Sequence, residues 1–243
     1  LHGVLSIGVE HSVTRWIEAQ GVPVVSIAGP SNYIITQDYG TAARMGVEEL
    51  ARMGCRRIGL WQPVVNFYPS HIRRVRHAFD KAMRAQKLER DESLDAPEIA
   101  PHAGHKPSSM EAGYWGAMQF FDENASTRAR RSRADWPDGV VIMDDMMAQG
   151  VFMALDQLGI KPGRDIKVAA FAVAESPVLL PWEKSIARME FSLHEIVTSM
   201  LEGVLSLADG RQPRWIKKAR PADPKAVEMT YNVLPKRHSA QSR

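Results

Sequence analysis

Two carboxylates stand side by side at Asp144-Asp145, directly after the apolar run Gly139-Val-Val-Ile-Met143. Adjacent carboxylates can hold a metal, work as an acid–base pair, or accept hydrogen bonds from a polar ligand. The simpler use of one of them is to cap the helix that follows. Phe67 and Tyr68 come just after the strand-like run Arg57-Ile-Gly-Leu-Trp61. Ligands of parallel sheets bind at the carboxyl ends of strands, and the two rings there could cover the apolar C–H face of a sugar. Arg74 could fork onto a polar ligand. Asp38 and Tyr39 open a helical pattern, and Glu175 follows another strand-like run, where an exposed loop carboxylate is the plainer reading. These eight residues are the candidate ligand-binding set.

Other chemistries lack their residues. The chain has no Gly-x-Gly-x-x-Gly or Walker-type phosphate loop and no Gly-x-Ser-x-Gly elbow. His102 and His105 are three apart, but in a Pro/Gly-rich loop with no third ligand near them in sequence. No catalytic residue, metal or cofactor is therefore expected, and the sequence argues against an enzyme. The 243 residues, 44% hydrophobic and 24% charged, suit a globular protein with a real core. Cys55 is the only cysteine, so no disulfide framework forms within the chain, which fits a cytoplasmic protein. No run approaches the roughly 18 apolar residues of a membrane span, and the first residues lack the basic start of a leader peptide. A net charge of +3 is too mild to imply nucleic acid unless the cations cluster. One cluster exists: a helix capped by Ser70 carries Arg73, Arg74, Arg76, His77, Lys81, Arg84 and Lys87 away from its apolar stripe. A solvated surface is the expectation there, with phosphate or nucleic acid as the alternative.

Short β-branched runs alternate with helical patterns. Strands are expected at Val4–Ile7, Val22–Ile27, Arg57–Trp61, Gly139–Met143 and Ile166–Phe171, with a further one near Glu98–Ala100. Helices are expected around residues 13–19, 39–53, 70–87, 109–121, 145–158 and 192–208, several stopped by Gly21, Gly54, Gly159 and Gly210. In the last helix Val197, Met200, Leu201, Val204 and Leu205 are expected inward, behind a Ser192–Glu195 capping box. Trp115 is expected in the core. Continuous apolar strands with crossover helices predict parallel sheets in an α/β fold.

In order along the chain, Gly21-Val-Pro-Val-Val25, Asp38 before Ala42-Ala-Arg44, Gly54-Cys-Arg-Arg-Ile-Gly59, Asp138-Gly-Val-Val-Ile-Met-Asp-Asp-Met-Met-Ala148 and Gly159–Phe171 resemble the lactose/galactose repressor (LacI/GalR) family. That resemblance implies a type I periplasmic-binding-protein-like fold of two Rossmann-like lobes with parallel sheets. It assigns residues 1–54 and 187–210 to an N-terminal lobe, 55–186 and 211–235 to a C-terminal lobe, and 236–243 to a disordered tail. It implies a small-molecule effector of the carbohydrate class bound in the cleft between lobes, a homodimer, no membrane association, and operator DNA bound through an N-terminal domain ahead of Leu1. The chain then reads as an N-terminally truncated regulator with an incomplete first lobe. The ligand chemistry departs from the family pattern. Ala172 and Val173 stand where an acid is common, Val75 occupies the position of an effector-binding Arg, and Asp144 replaces an Asn. Alternatives are a periplasmic sugar-binding transport receptor of the same fold, a small α/β enzyme using Asp144 and Asp145, and a sensor that has lost its ligand.

Overall fold

The computed structural model describes residues 2–27, 29–63, 69–99, 105–122, 132–174, 176–213 and 227–231. It divides into two compact units: 1–38 with 191–232, and 39–190 with 233–243.

The first unit holds β1 (Val4–Ile7), α1 (His11–Ala19), β2 (Val24–Ile27), β3 (Tyr33–Gln37), α6 (Leu193–Ala208) and β8 (Val227–Tyr231). Its sheet has the order β1-β2-β3-β8, and each neighbouring pair runs parallel. The core lies between this sheet and α6, where Val25, Ile27 and Ile35 meet Ile196, Met200 and Val204. Three expectations change here. β3 is a strand outside all the expected runs. The described closing strand, β8, pairs with β3 from Tyr33↔Val227 to Gln37↔Tyr231, in the first unit's sheet rather than the second's. On α6 only part of the expected apolar stripe is buried: Met200 and Val204 are, whereas Val197, Leu201 and Leu205 are 37%, 46% and 63% exposed. A helix lying on one sheet covers one face, and apolar residues spread around more of the circumference stay outside. Ser192 caps this helix by accepting from the Glu195 N–H at 3.2 Å.

The second unit holds α2 (Tyr39–Arg52), β4 (Ile58–Trp61), α3 (Pro69–Ala85), α4 (Ser109–Phe121), β5 (Gly139–Ile142), α5 (Asp145–Gln157), β6 (Lys167–Val173) and β7 (Ala187–Phe191, its last residue falling in the first unit). Its sheet order is β4-β5-β6-β7, with β5 parallel to both β4 and β6. All four residues of β4 and of β5 are buried, as strands covered on both faces must be. The division falls after Asp38, not after Gly54, because α2 packs on α3 and on β5 and β6. Gly46 lets it approach: a Cβ there would sit 2.8 Å from a Val141 methyl. Gly54 ends α2 with φ +91°, while Cys55 N–H donates to the Leu50 carbonyl, the left-handed stop that glycine makes cheaply.

On the other side, Trp61, Phe121 and Trp136 form a ring cluster. Trp61 stacks on Phe121 at 5.7 Å, and Phe121 meets Trp136 edge-on at 5.2 Å. Trp115 is not in it; that ring is 55% exposed. No strand forms at residues 98–99, and Ala100 lies outside the described residues. Helices α4 and α5 cross through two glycines: a Cβ on Gly113 would fall 2.1 Å from the Met147 carbonyl oxygen, and one on Gly150 2.0 Å from that of Met110. Among the described residues no helix is long and apolar enough to cross a membrane. The expected tail, 236–243, lies outside the described residues.

Candidate functional site

The carboxyl ends of β4, β5 and β6 bring chemistry together within the second unit. After β4 come Gln62 and Pro63; after β5 come Met143, Asp144 and Asp145; near the end of β6 stands Phe171. Tyr39, the first residue of α2, lies against Phe171 with ring centroids 5.2 Å apart and against His71 of α3 at 6.1 Å. Tyr39, Gln62, Pro63, His71, Ile72, Val75 and Met143 line a small concavity that opens to solvent.

Asp144 is the N-cap of α5, its Oδ1 accepting from the Met147 N–H at 2.7 Å. Burial raises its carboxyl above the ordinary range and the neighbouring Asp145 carboxylate adds to this, while hydrogen bonds from Met147, Ser109 and Met146 pull the other way. Burial also raises the Tyr39 phenol, helped by the charges of Asp144 and Asp145. Tyr39 therefore keeps its proton at neutral pH and offers an O–H donor beside carboxylate acceptors and an aromatic wall. That combination can take a polar ligand with one apolar face: hydroxyls to the acids and the phenol, C–H groups to the rings.

Of the eight candidate residues, the structure gathers Tyr39, Asp144 and Asp145 around this end of the sheet. Asp38 immediately precedes Tyr39 in the chain and closes the first unit. Arg74 is exposed on α3, and its neighbour Val75 is the residue that faces the concavity. Phe67, Tyr68 and Glu175 lie outside the described residues. Sequence reasoning missed His71 and Gln62 as wall residues, and Phe171 as the buried ring packed against Tyr39. Their positions, one turn into a helix and at two strand ends, were the available signal. Among the described residues no group of three His, Cys, Asp or Glu side chains is arranged to hold a metal ion; His105 is exposed and His102 lies outside the described set.

A buried ion pair sits on the neighbouring strand. Arg188 and Glu190 of β7, two apart and so on one face, approach to 3.0 Å, and Arg188 Nη2 donates to the Val173 carbonyl at the end of β6 at 3.2 Å. Both side chains are nearly inaccessible. The pair ties the end of β6 in place.

A family model described as a periplasmic binding protein-like domain matches residues 47–228. The chain is 27% identical over 167 residues to the HTH-type transcriptional regulator MalR of Streptomyces coelicolor, covering 67% of this chain and 43% of that protein. It is 26% identical over 192 residues to an HTH-type transcriptional regulator from the aml 5′ region of Streptomyces limosus, covering 76% of this chain and 48% of that protein. The chain thus spans less than half the length of these relatives. Among solved structures, the transcriptional regulator CelR in complex with cellobiose superposes with a TM-score of 0.68 at 17% identity, covering 98% of this chain and 66% of that one. A LacI-family regulatory protein from Chloroflexus aggregans gives 0.67 at 16% identity, covering 95% and 74%.

Proposed function

Because the chain belongs to the periplasmic binding protein-like domain family in its LacI-type form, we propose that it is the effector-sensing domain of a bacterial transcription regulator and that its effector is a carbohydrate. The observation that carries this reading is the meeting of Tyr39, His71 and Phe171 with Asp144 and Asp145 at the carboxyl end of the second unit's sheet. The Tyr39 and His71 rings take the ring face of the sugar, with Phe171 packed behind Tyr39, the Tyr39 hydroxyl donates, and the Asp145 carboxylate accepts. Asp144 holds the start of α5, so that the two acids keep their places. A cellobiose complex in a structural neighbour supports the ligand class.

The regulator reading carries further parts. Effector binding shifts a population between two forms of the domain by its differential affinity for them, and the bias is passed to an operator-binding domain within a homodimer. Such a protein works in the cytoplasm, where the DNA is. Trp115 on α4 and Met153 on α5, 55% and 47% exposed, are apolar surface that a second copy would cover. The test is calorimetric titration of the chain with a panel of mono- and disaccharides. One of them is expected to bind, with affinity lost in Asp145→Ala and in Tyr39→Ala. Binding that survives both substitutions unchanged would remove this site from the account.

A further inference from the structure

We propose that the exposed face of α3 is a docking surface for the phosphate backbone of duplex nucleic acid, carried by the sensing domain itself. Arg73, His77, Lys81 and Arg84 follow one another at spacings of four, four and three residues, which places them on one face of the helix. At 1.5 Å per residue the row is about 16 Å long. All four side chains are exposed, and among the described residues none of them forms an ion pair.

Four acids on or near α3 are already engaged. The single carboxylate of α3, Asp80, pairs with Arg90 at 2.9 Å, and Arg90 also holds Asp95 and lies over the Phe79 ring. On α2, which packs against α3, Glu48 pairs with Arg44 and Glu49 with Arg52. Like charges four residues apart weaken a helix by roughly 0.2–0.5 kcal/mol per pair. Arg73, Lys81 and Arg84 are permanently charged, and the one acid of α3, Asp80, is taken up by Arg90, so the row presents uncompensated positive charge to an anionic partner.

The kind of partner follows from what else the face offers. Among the described side chains of α3 no large apolar one is exposed, whereas protein interfaces are built around apolar or aromatic anchors. A straight row of cations with no apolar centre matches a regular polyanion. Duplex DNA carries about one charge per 1.7 Å of axis, so the row runs alongside on the order of ten of them. Contacts of this type position a protein without reading sequence.

The test is fluorescence anisotropy of the 243-residue chain with a labelled mixed-sequence duplex over a series of salt concentrations. Three permanently charged contacts give a slope of log K against log salt of about −2.7. R73Q/K81Q/R84Q is expected to flatten that slope towards zero. R15Q/R56Q/K161Q, which removes the same charge elsewhere, is expected to leave it in place. Gln is close to Arg and Lys in helix propensity, and far-UV circular dichroism verifies that both variants are folded. Absence of binding at the lowest salt overturns the proposal. So does an equal loss in both variants, which would mean net charge alone, or displacement of the duplex by an equal charge concentration of polyglutamate, which would mean an acidic polypeptide partner.

Discussion

Replacing Gly150 by Ala tests how α5, and with it the Asp144–Asp145 pair, is positioned. The new methyl would lie 2.0 Å from the Met110 carbonyl oxygen and 2.8 Å from the Tyr114 backbone nitrogen. Both are helix backbone, so relief requires α4 and α5 to separate rather than one side chain to turn. Overpacking of this sort costs about 3 kcal/mol, at the upper part of its usual range. Ala returns about 1 kcal/mol of helix propensity over Gly, leaving a net loss of about 2 kcal/mol. For a domain of this size that lowers the melting temperature by roughly 4–8 °C. Gly116, also within α4, supplies the contrast: its nearest neighbours are Pro97 atoms at 3.8 Å, an ordinary contact. Gly116→Ala therefore gains up to about 1 kcal/mol and raises the melting temperature by roughly 2–4 °C. Thermal melts followed by circular dichroism measure both. If Gly150→Ala melts at or above the parent, or if the two substitutions destabilise equally, the reasoning from the helix crossing is refuted.

Three further outcomes follow. Cys55, 4% exposed and with its thiol pushed up to about 12 by burial, will not react with a thiol reagent at pH 8 until the domain is unfolded; stoichiometric labelling of native protein would contradict this. Asp144 has its carboxyl raised in the folded state, chiefly by burial, so its contribution to stability is most favourable at low pH and declines as pH rises from the ordinary Asp value towards the raised one. Asp144→Asn, which keeps an acceptor for the Met147 N–H, gains stability relative to the parent across that window, and urea titrations at several pH values would show a constant difference if the account is wrong. Arg188→Met leaves Glu190 buried and unpaired, at a cost of about 3–5 kcal/mol, and Arg188→Met/Glu190→Leu recovers most of it; a double variant no better than the single one would mean that the cost lies in the lost contacts of Arg188 with Val173 and Glu183 rather than in the stranded Glu190.

Much of the architecture was legible because parallel strands covered on both faces are written as unbroken apolar runs. Val24–Ile27, Ile58–Trp61 and Gly139–Ile142 stand out for that reason, and Gly54 and Gly159 mark helix ends through their left-handed φ. β3 and β7 were not legible. In β3, Thr36 and Gln37 follow a short apolar start, directly before the helical signal at Tyr39. In β7, Arg188 and Glu190 neutralise each other inside the protein, so buried residues there look like surface residues. The pairing of β3 with β8 joins residues nearly 200 positions apart, and local patterns carry no record of it. At the candidate site, the end of β5 pointed to Asp144 and Asp145 and the start of α2 to Tyr39, three residues that the structure brings to the same end of the sheet. The choice between Arg74 and Val75 depended on the rotation of α3 about its axis, which one-residue precision in the sequence pattern does not provide.

The most direct measurement is a crystal structure of the chain with the tightest-binding sugar from the panel. The account predicts ligand density in contact with Tyr39, Met143 and Asp145 at the carboxyl end of the second unit's sheet. Density for the same sugar elsewhere on the molecule, with those three side chains untouched, would contradict it.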